Sequence, residues 1–217
     1  MYNNSLQIKS TISQTVINNP VNKSSYWDKS HNRSSNIVIS VGRLNENKNH
    51  SLLIHAFSII SKNYPSWKLM IYGEGEDREN LEQLIKRLNM TCTIFLPGIV
   101  DNLDKYLHQA SIFVLTSNAE GLPNALIEAL CMGLPCISTD FIGGGARELI
   151  QHELNGIIIP LNDKEQLTTS LKRLMNDRKL AYELGKNAID LRQRFSVDRI
   201  TIQWEDYLSS LIKSRLS

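Results

Sequence analysis

Six short runs rich in β-branched and apolar residues follow one another from Ile37 onward: IVISV at 37–41, WKLMIY at 67–72, TIFL at 93–96, SIFVLT at 111–116, PCIS at 135–138 and GIIIP at 156–160. Between them HSLLIHAFSIISKNY, EDRENLEQLIKRLNM, DNLDKYLHQA, PNALIEALCM and GGARELI carry apolar residues at helical spacing. Strands that alternate with helices pair in parallel through right-handed crossovers. The pattern therefore predicts an α/β fold, a parallel six-stranded sheet with helices on both faces. After Pro160 no further strand is expected, and helices near 163–175, 177–194 and 197–214 form a helical C-terminal tail. Residues 1–35, rich in Asn, Ser and Lys and without a sustained period, are expected to be a linker or the truncated end of a missing N-terminal domain. The domain proper then covers 36–217.

Composition excludes several function classes. A net charge of +2, with no basic run or stripe, does not call for a nucleic-acid partner. No stretch approaches the about 18 consecutive apolar residues of a membrane span, and MYNNSLQIKSTISQ lacks the apolar core of a signal peptide. A cytoplasmic chain is expected, and a peripheral contact with the inner face of the cell membrane stays compatible with it. Cys92, Cys131 and Cys136 form no C-x-x-C pair and are read as reduced core thiols. His31, His50, His55, His108 and His152 have no metal-ligand spacing, no D-x-D occurs, and no serine sits in a nucleophile elbow. Neither a metal site nor serine-hydrolase chemistry is expected.

In a parallel α/β sheet the ligand crevice lies outside the carboxyl ends of the strands. Those ends are GRLNENK, GEGEDR, PGIVDN, SNAEGLP, TDFIGGG and the turn after Pro160. The most informative is EGLPNALIEALCMGLP at 120–135. Pro123 suits a first helical position. The helix that follows is apolar on nearly every side, with only Asn124 and Glu128 polar, and these share a face. A buried carboxylate without partners is costly, so Glu128 must be neutralised, hydrogen-bonded or turned to a cleft. Free N–H groups of the first turn suit a diphosphate. Glu128, one turn deeper, could accept hydrogen bonds from a ribose diol, and Glu120 would face what hangs from the far phosphate. Arg43 and Lys48, one short turn after the first strand, supply cations. Taken singly, Glu120 reads equally as an exposed loop residue and Glu128 as the solvated edge of an ordinary helix, while Arg43 and Lys48 read more readily as a solvated loop pair and become candidates through their position beside the 120–128 element.

Gly73, Glu74 and Gly75 begin like a dinucleotide fingerprint, but Arg78 stands where a third glycine is needed, so this is read as a tight strand-to-helix turn. FIGGGARELI has two readings: backbone amides lent to a ligand, or a turn that needs positive φ.

Taken in order, VGRLNENKNHSLLIHAF, IYGEGEDRENLEQLI, SNAEGLPN with its following E-A and G-L-P, and STDFIGGGARELI resemble the C-terminal, donor-binding domain of a GT-B glycosyltransferase. More narrowly they resemble the retaining family 4, glycosyl transferases group 1, over about residues 15–215. The resemblance implies a Rossmann-like sheet and transfer of a sugar, a hexose, from a nucleotide-sugar with retention, without metal or other cofactor. It implies that Arg43 and Lys48 bind the donor diphosphate and stabilise the departing phosphate. Glu128 would hold the ribose, Glu120 would contact the sugar near its anomeric carbon, and the backbone of Gly121, Leu122, Pro123 and Asn124 would meet the phosphates. A UDP-sugar is the favoured donor, and a lipid-linked or polysaccharide intermediate, as in lipopolysaccharide assembly, the acceptor. Family members carry a separate N-terminal acceptor-binding domain, and TVINNPVN resembles the segment that joins the halves. The sequence is thus expected to be the donor half, with the other half as a partner. Its last helix, DRITIQWEDYLSSLIKS, resembles the one that crosses back onto that domain, which would leave Trp204, Leu208, Leu211 and Ile212 partly bare. Two other functions stand beside this one: a nucleotide-sugar-binding module or remnant without turnover, and a dinucleotide-dependent oxidoreductase whose fingerprint is missing here.

Overall fold

The computed structural model describes residues 15–21 and 35–216. The six strands are β1 (Ile37–Val41), β2 (Lys68–Tyr72), β3 (Ile94–Gly98), β4 (Ile112–Leu115), β5 (Cys136–Thr139) and β6 (Ile157–Ile159). Around them lie α1 (His50–Ile60), α2 (Arg78–Arg87), α3 (Leu103–Gln109), α4 (Asn124–Cys131), α5 (Gly145–Leu149), α6 (Lys164–Asn176), α7 (Arg178–Ala188), α8 (Leu191–Arg194) and α9 (Val197–Leu216). All strand pairs are parallel, in the order β3-β2-β1-β4-β5-β6, the doubly wound Rossmann-like arrangement. The chain winds outward in one direction from β1, then restarts beside it with β4. Val38 of β1 therefore lies opposite Ile112 of β4, and the direction of winding reverses between these two strands.

The pleat sends alternate residues to opposite faces. Val38, Leu69, Ile71, Val114 and Ile137 enter a core covered by α1, α2 and α6, whereas Ile39, Phe113, Leu115 and Cys136 enter one covered by α3, α4 and α5. Every residue of β4 and β5 is buried, which is why β4 reads as an unbroken apolar run rather than an alternating one, while β5 ends on the buried hydroxyls of Ser138 and Thr139. Burial of each such Ile, Leu, Val or Phe side chain contributes about 1.5–3 kcal/mol.

Three details differ from the sequence reading. Pro123 is the cap of α4 rather than its first helical residue: its ψ is 113°, and its carbonyl accepts from the N–H groups of Leu126 and Ile127 at 3.1 Å each. The tail helix expected at 177–194 breaks after Ala188, where Ile189 packs beside Gly133 and Arg192 Nε reaches the carbonyl of Cys131 at 2.6 Å. Cys131 and Cys136 are buried free thiols, and burial pushes Cys131 up to about 12, but Cys92 is exposed on the turn before β3. Of the 1–35 stretch only residues 15–21 and 35 are described, so the linker or truncated end read there lies largely outside the described residues. Val21 is buried, and its N–H donates to the Phe195 carbonyl at 2.8 Å.

Candidate functional site

The reversal between β1 and β4 opens the crevice at their carboxyl ends. Into it run the β1–α1 turn, carrying Arg43 and Lys48, and the β4–α4 loop, carrying Glu120 to Asn124. Lys48 ends a short 3-10 turn, Glu46–Lys48, whose N-cap Asn45 accepts from the Lys48 N–H at 3.0 Å. The Lys48 carbonyl accepts from the Thr116 hydroxyl at 2.9 Å. Held at both backbone groups, Lys48 lays its side chain back over Gly42. A Cβ there would stand 3.2 Å from Lys48 Cε, so the missing side chain is the bed on which the lysine lies.

Lys48 Nζ forms an ion pair with Glu120 Oε1, and the two side chains are only 19% and 16% exposed. The crevice thus brings together one predicted cation and one predicted carboxylate. It does not bring Arg43 into that pair. Arg43 stands on the rim, its Nε donating to Glu76 Oε2 at 3.2 Å in an exposed pair that solvent screens strongly.

Beyond Glu120 the chain turns through Gly121 and Leu122 into α4. Because Pro123 fills the cap and offers no side-chain acceptor, the N–H groups of Asn124 and Ala125 lie outside the helical ladder, at the positive end of the helix dipole. Asn124 is exposed, and its side-chain carbonyl accepts from Asn19 Nδ2 at 3.3 Å, so the 15–21 segment borders the site. One turn deeper Glu128 is half-buried and has no hydrogen-bond donor among the described residues. Burial, and secondarily the nearby Asp104, raise its carboxyl above the usual range. A carboxylate in such a place is an acceptor without a donor.

The glycine-rich turns are backbone devices. A Cβ on Gly73 would meet the Gly42 carbonyl oxygen at 1.9 Å, and one on Gly75 the Leu44 oxygen at 2.2 Å, so both glycines let the β2–α2 turn pack against the β1–α1 turn. Arg78, in place of a fingerprint glycine, holds Glu74 at 2.7 Å and Glu82 at 2.7 Å. In FIGGG, Gly143 and Gly144 have φ of 116° and 78°, and a Cβ on Gly143 would stand 2.0 Å from the Glu120 oxygen. The positive-φ reading of this segment is the one that the conformation supports.

Several site features escaped the sequence reading. Asn47, Asn118 and Thr116 bind the two loops to each other, and His50, the first residue of α1, lies buried behind the turn. The polar residues at alternate positions 45, 47 and 49 of NENKN were the available signal. No cluster of three or more His, Cys, Asp or Glu side chains suited to a metal occurs among the described residues, and no helix there is long and apolar enough to cross a membrane.

Sheet order, crevice and turn chemistry together define a Rossmann-like domain of the GT-B glycosyltransferase class. The family model for glycosyl transferases group 1 matches residues 23–191, and the chain belongs to that family. It is 31% identical over 172 residues to an uncharacterized glycosyltransferase of Haemophilus influenzae, a match covering 79% of this chain and 48% of the relative. To the GalNAc-alpha-(1->4)-GalNAc-alpha-(1->3)-diNAcBac-PP-undecaprenol alpha-1,4-N-acetyl-D-galactosaminyltransferase of Campylobacter jejuni it is 31% identical over 170 residues, 78% of this chain and 46% of the relative. Among solved structures, a mutant of S. aureus TarM in complex with fondaparinux, alpha-GlcNAc-glycerol and UDP superposes with a TM-score of 0.81 at 26% identity. That match covers 88% of this chain and 38% of TarM. The chain thus spans less than half the length of these relatives.

Proposed function

We propose that this crevice binds the donor of a retaining glycosyltransferase, a UDP-hexose, and that the chain is the donor-binding half of that enzyme. The observation that carries the reading is the half-buried Glu128, an acceptor without a donor, set one helical turn below the free N–H groups that open α4. A nucleotide supplies what both lack: phosphate oxygens for the N–H groups and a ribose diol for the carboxylate. The diphosphate lies against α4 and the backbone of Gly121, Leu122, Pro123 and Asn124. Its charge draws Lys48 away from Glu120 and recruits Arg43 from its rim pair with Glu76. Glu120, so released, faces the sugar at its anomeric carbon. When the bond from that carbon to the phosphate oxygen breaks, negative charge grows on the departing diphosphate, and Lys48 and Arg43 are placed to stabilise it.

The acceptor, a lipid-linked or polysaccharide intermediate, is held by a second domain that docks on the apolar face of α9. Support comes from the Campylobacter jejuni relative, whose name carries an undecaprenol-linked acceptor, and from the UDP in the TarM complex. Such an acceptor puts the reaction at the inner face of the cell membrane. The test is calorimetric titration of the chain with UDP, GDP, ADP and uridine, without added metal. UDP should bind, and Arg43→Ala should weaken UDP more than uridine. A folded chain that binds no nucleotide, or equal losses for UDP and uridine, would defeat the assignment.

A further inference from the structure

Asn47 precedes Lys48 in the 3-10 turn and uses its side-chain amide as a strand uses a peptide group. Its Nδ2 donates to the Ala119 carbonyl at 2.9 Å, and its Oδ1 accepts from the Ala119 N–H at 3.1 Å. The backbone carbonyl of Asn47 accepts from the Asn118 N–H at 2.7 Å. On the opposite edge of the same loop, Ile142 donates its N–H to the Asn118 carbonyl at 2.9 Å and accepts from the Glu120 N–H at 3.0 Å, closing a parallel bridge between Ala119 and Ile142. Residues 118–120 are therefore the middle rung of a miniature sheet past the carboxyl edge of the main one. One of its outer rungs is a side chain.

Filling that rung takes one donor and one acceptor in a single plane at short reach. Asparagine meets this need; Asp lacks the donor, Ser has a single atom for both roles, and Gln adds a methylene. The two residues that the rung locks together are the immediate neighbours of Lys48 and Glu120, which meet across the crevice. We infer that Asn47 is a positioning residue: its amide fixes the spacing between Lys48 and Glu120, and so the place where the donor diphosphate meets its sugar. The inference rests on the donor-site reading for its ligand, but the spacing exists without one.

The experiment therefore has a ligand arm and a ligand-free arm, both on the full chain. In the first, UDP and uridine affinities are measured calorimetrically for wild type and Asn47→Ala. UDP should weaken about fivefold or more, the scale of one lost hydrogen bond, with uridine little changed. In the second, acylation of the Lys48 amine is followed by mass spectrometry without nucleotide, and it should run about fivefold faster once the rung is gone and the ion pair loosens. Equal acylation rates overturn the inference whether or not UDP binds, and so do equal losses of UDP and uridine. Failure of wild type to bind UDP overturns the donor-site reading alone and leaves the acylation rate to decide. If Asn47→Ala does not fold, Asn47→Asp, which keeps the shape and the acceptor but not the donor, takes its place in both arms.

Discussion

Glu128 places a carboxyl where a neutral group would suit the fold better. Burial first, and Asp104 second, raise its pKa, so the folded chain binds a proton there more tightly than the unfolded chain does. The charged form is thus a burden on the folded state at neutral pH. Glu128→Gln should raise the thermal midpoint of the unliganded chain while weakening both UDP and uridine by about 1–3 kcal/mol. A lowered midpoint would mean that the carboxylate has a structural partner. His50 titrates with the opposite sign. Burial, assisted by the charge of Lys48, pushes its imidazole down to about 4 from an ordinary 6.5, the backbone of Arg43 and Gly42 offsetting part of the shift. Among the described residues neither ring nitrogen makes a hydrogen bond of ordinary geometry, so these backbone groups offset burial only weakly. Above pH 6.5 the ring is neutral in both folded and unfolded chains and does not affect stability. Between 6.5 and 4 only the unfolded chain takes up the proton, so stability should fall with acidification, by a total on the order of 3 kcal/mol. Denaturant titrations of wild type and His50→Phe at stepwise lower pH would show it, the variant having the flatter profile. Parallel profiles would place the acid sensitivity elsewhere.

Among the elements, the loops that meet at the crevice leave no room for a Cβ at Gly73, Gly75 and Gly143. Gly143→Ala would have both a φ of 116° and a Cβ 2.0 Å from the Glu120 carbonyl oxygen, so it must displace the loop bearing Glu120. Gly144→Ala, at φ 78°, meets nothing within 4 Å. The second should cost about 1–2 kcal/mol of stability, the first more, and only the first should also weaken UDP binding. Similar losses in both variants would mean that the 143–120 contact yields easily. How much of this was legible depends on the physics of each element. The six strands fell within a residue or two of their sequence limits because each is an apolar run between polar turns. Lys48, Glu120 and Glu128 could be singled out because charged residues beside buried elements stand out. The Lys48–Glu120 pair could not, since it joins residues 72 positions apart through the reversal of strand order. Asn47 was hidden for a similar reason: an amide acting as backbone has no sequence signature apart from its partner. Pro123 was placed one position too far in, because Pro's fixed φ suits both the cap and the first turn, and ψ decides between them.

At the scale of the molecule, α9, with 20 residues, is the longest helix among the described residues. Its own Ile200 is buried, but Trp204, Leu208 and Ile212 are 48%, 51% and 60% exposed along one stripe, as the sequence led one to expect. An apolar stripe of this kind promotes association. Sedimentation velocity should show the chain self-associating at micromolar to millimolar concentration, and Trp204→Lys with Leu208→Glu should leave a monomer that binds UDP as before. A wild-type chain that sediments as a monomer would mean that the stripe is tolerated bare. The strand order has a kinetic consequence as well. β1 pairs with β2 early in the chain, but the crevice needs β4 beside β1, and its miniature sheet needs Ile142 beyond that. Contacts between segments so distant in sequence form late, after loop closure has been offset by the local pairs. In a refolding experiment helical signal should return first, and affinity for nucleotide should be the last property regained.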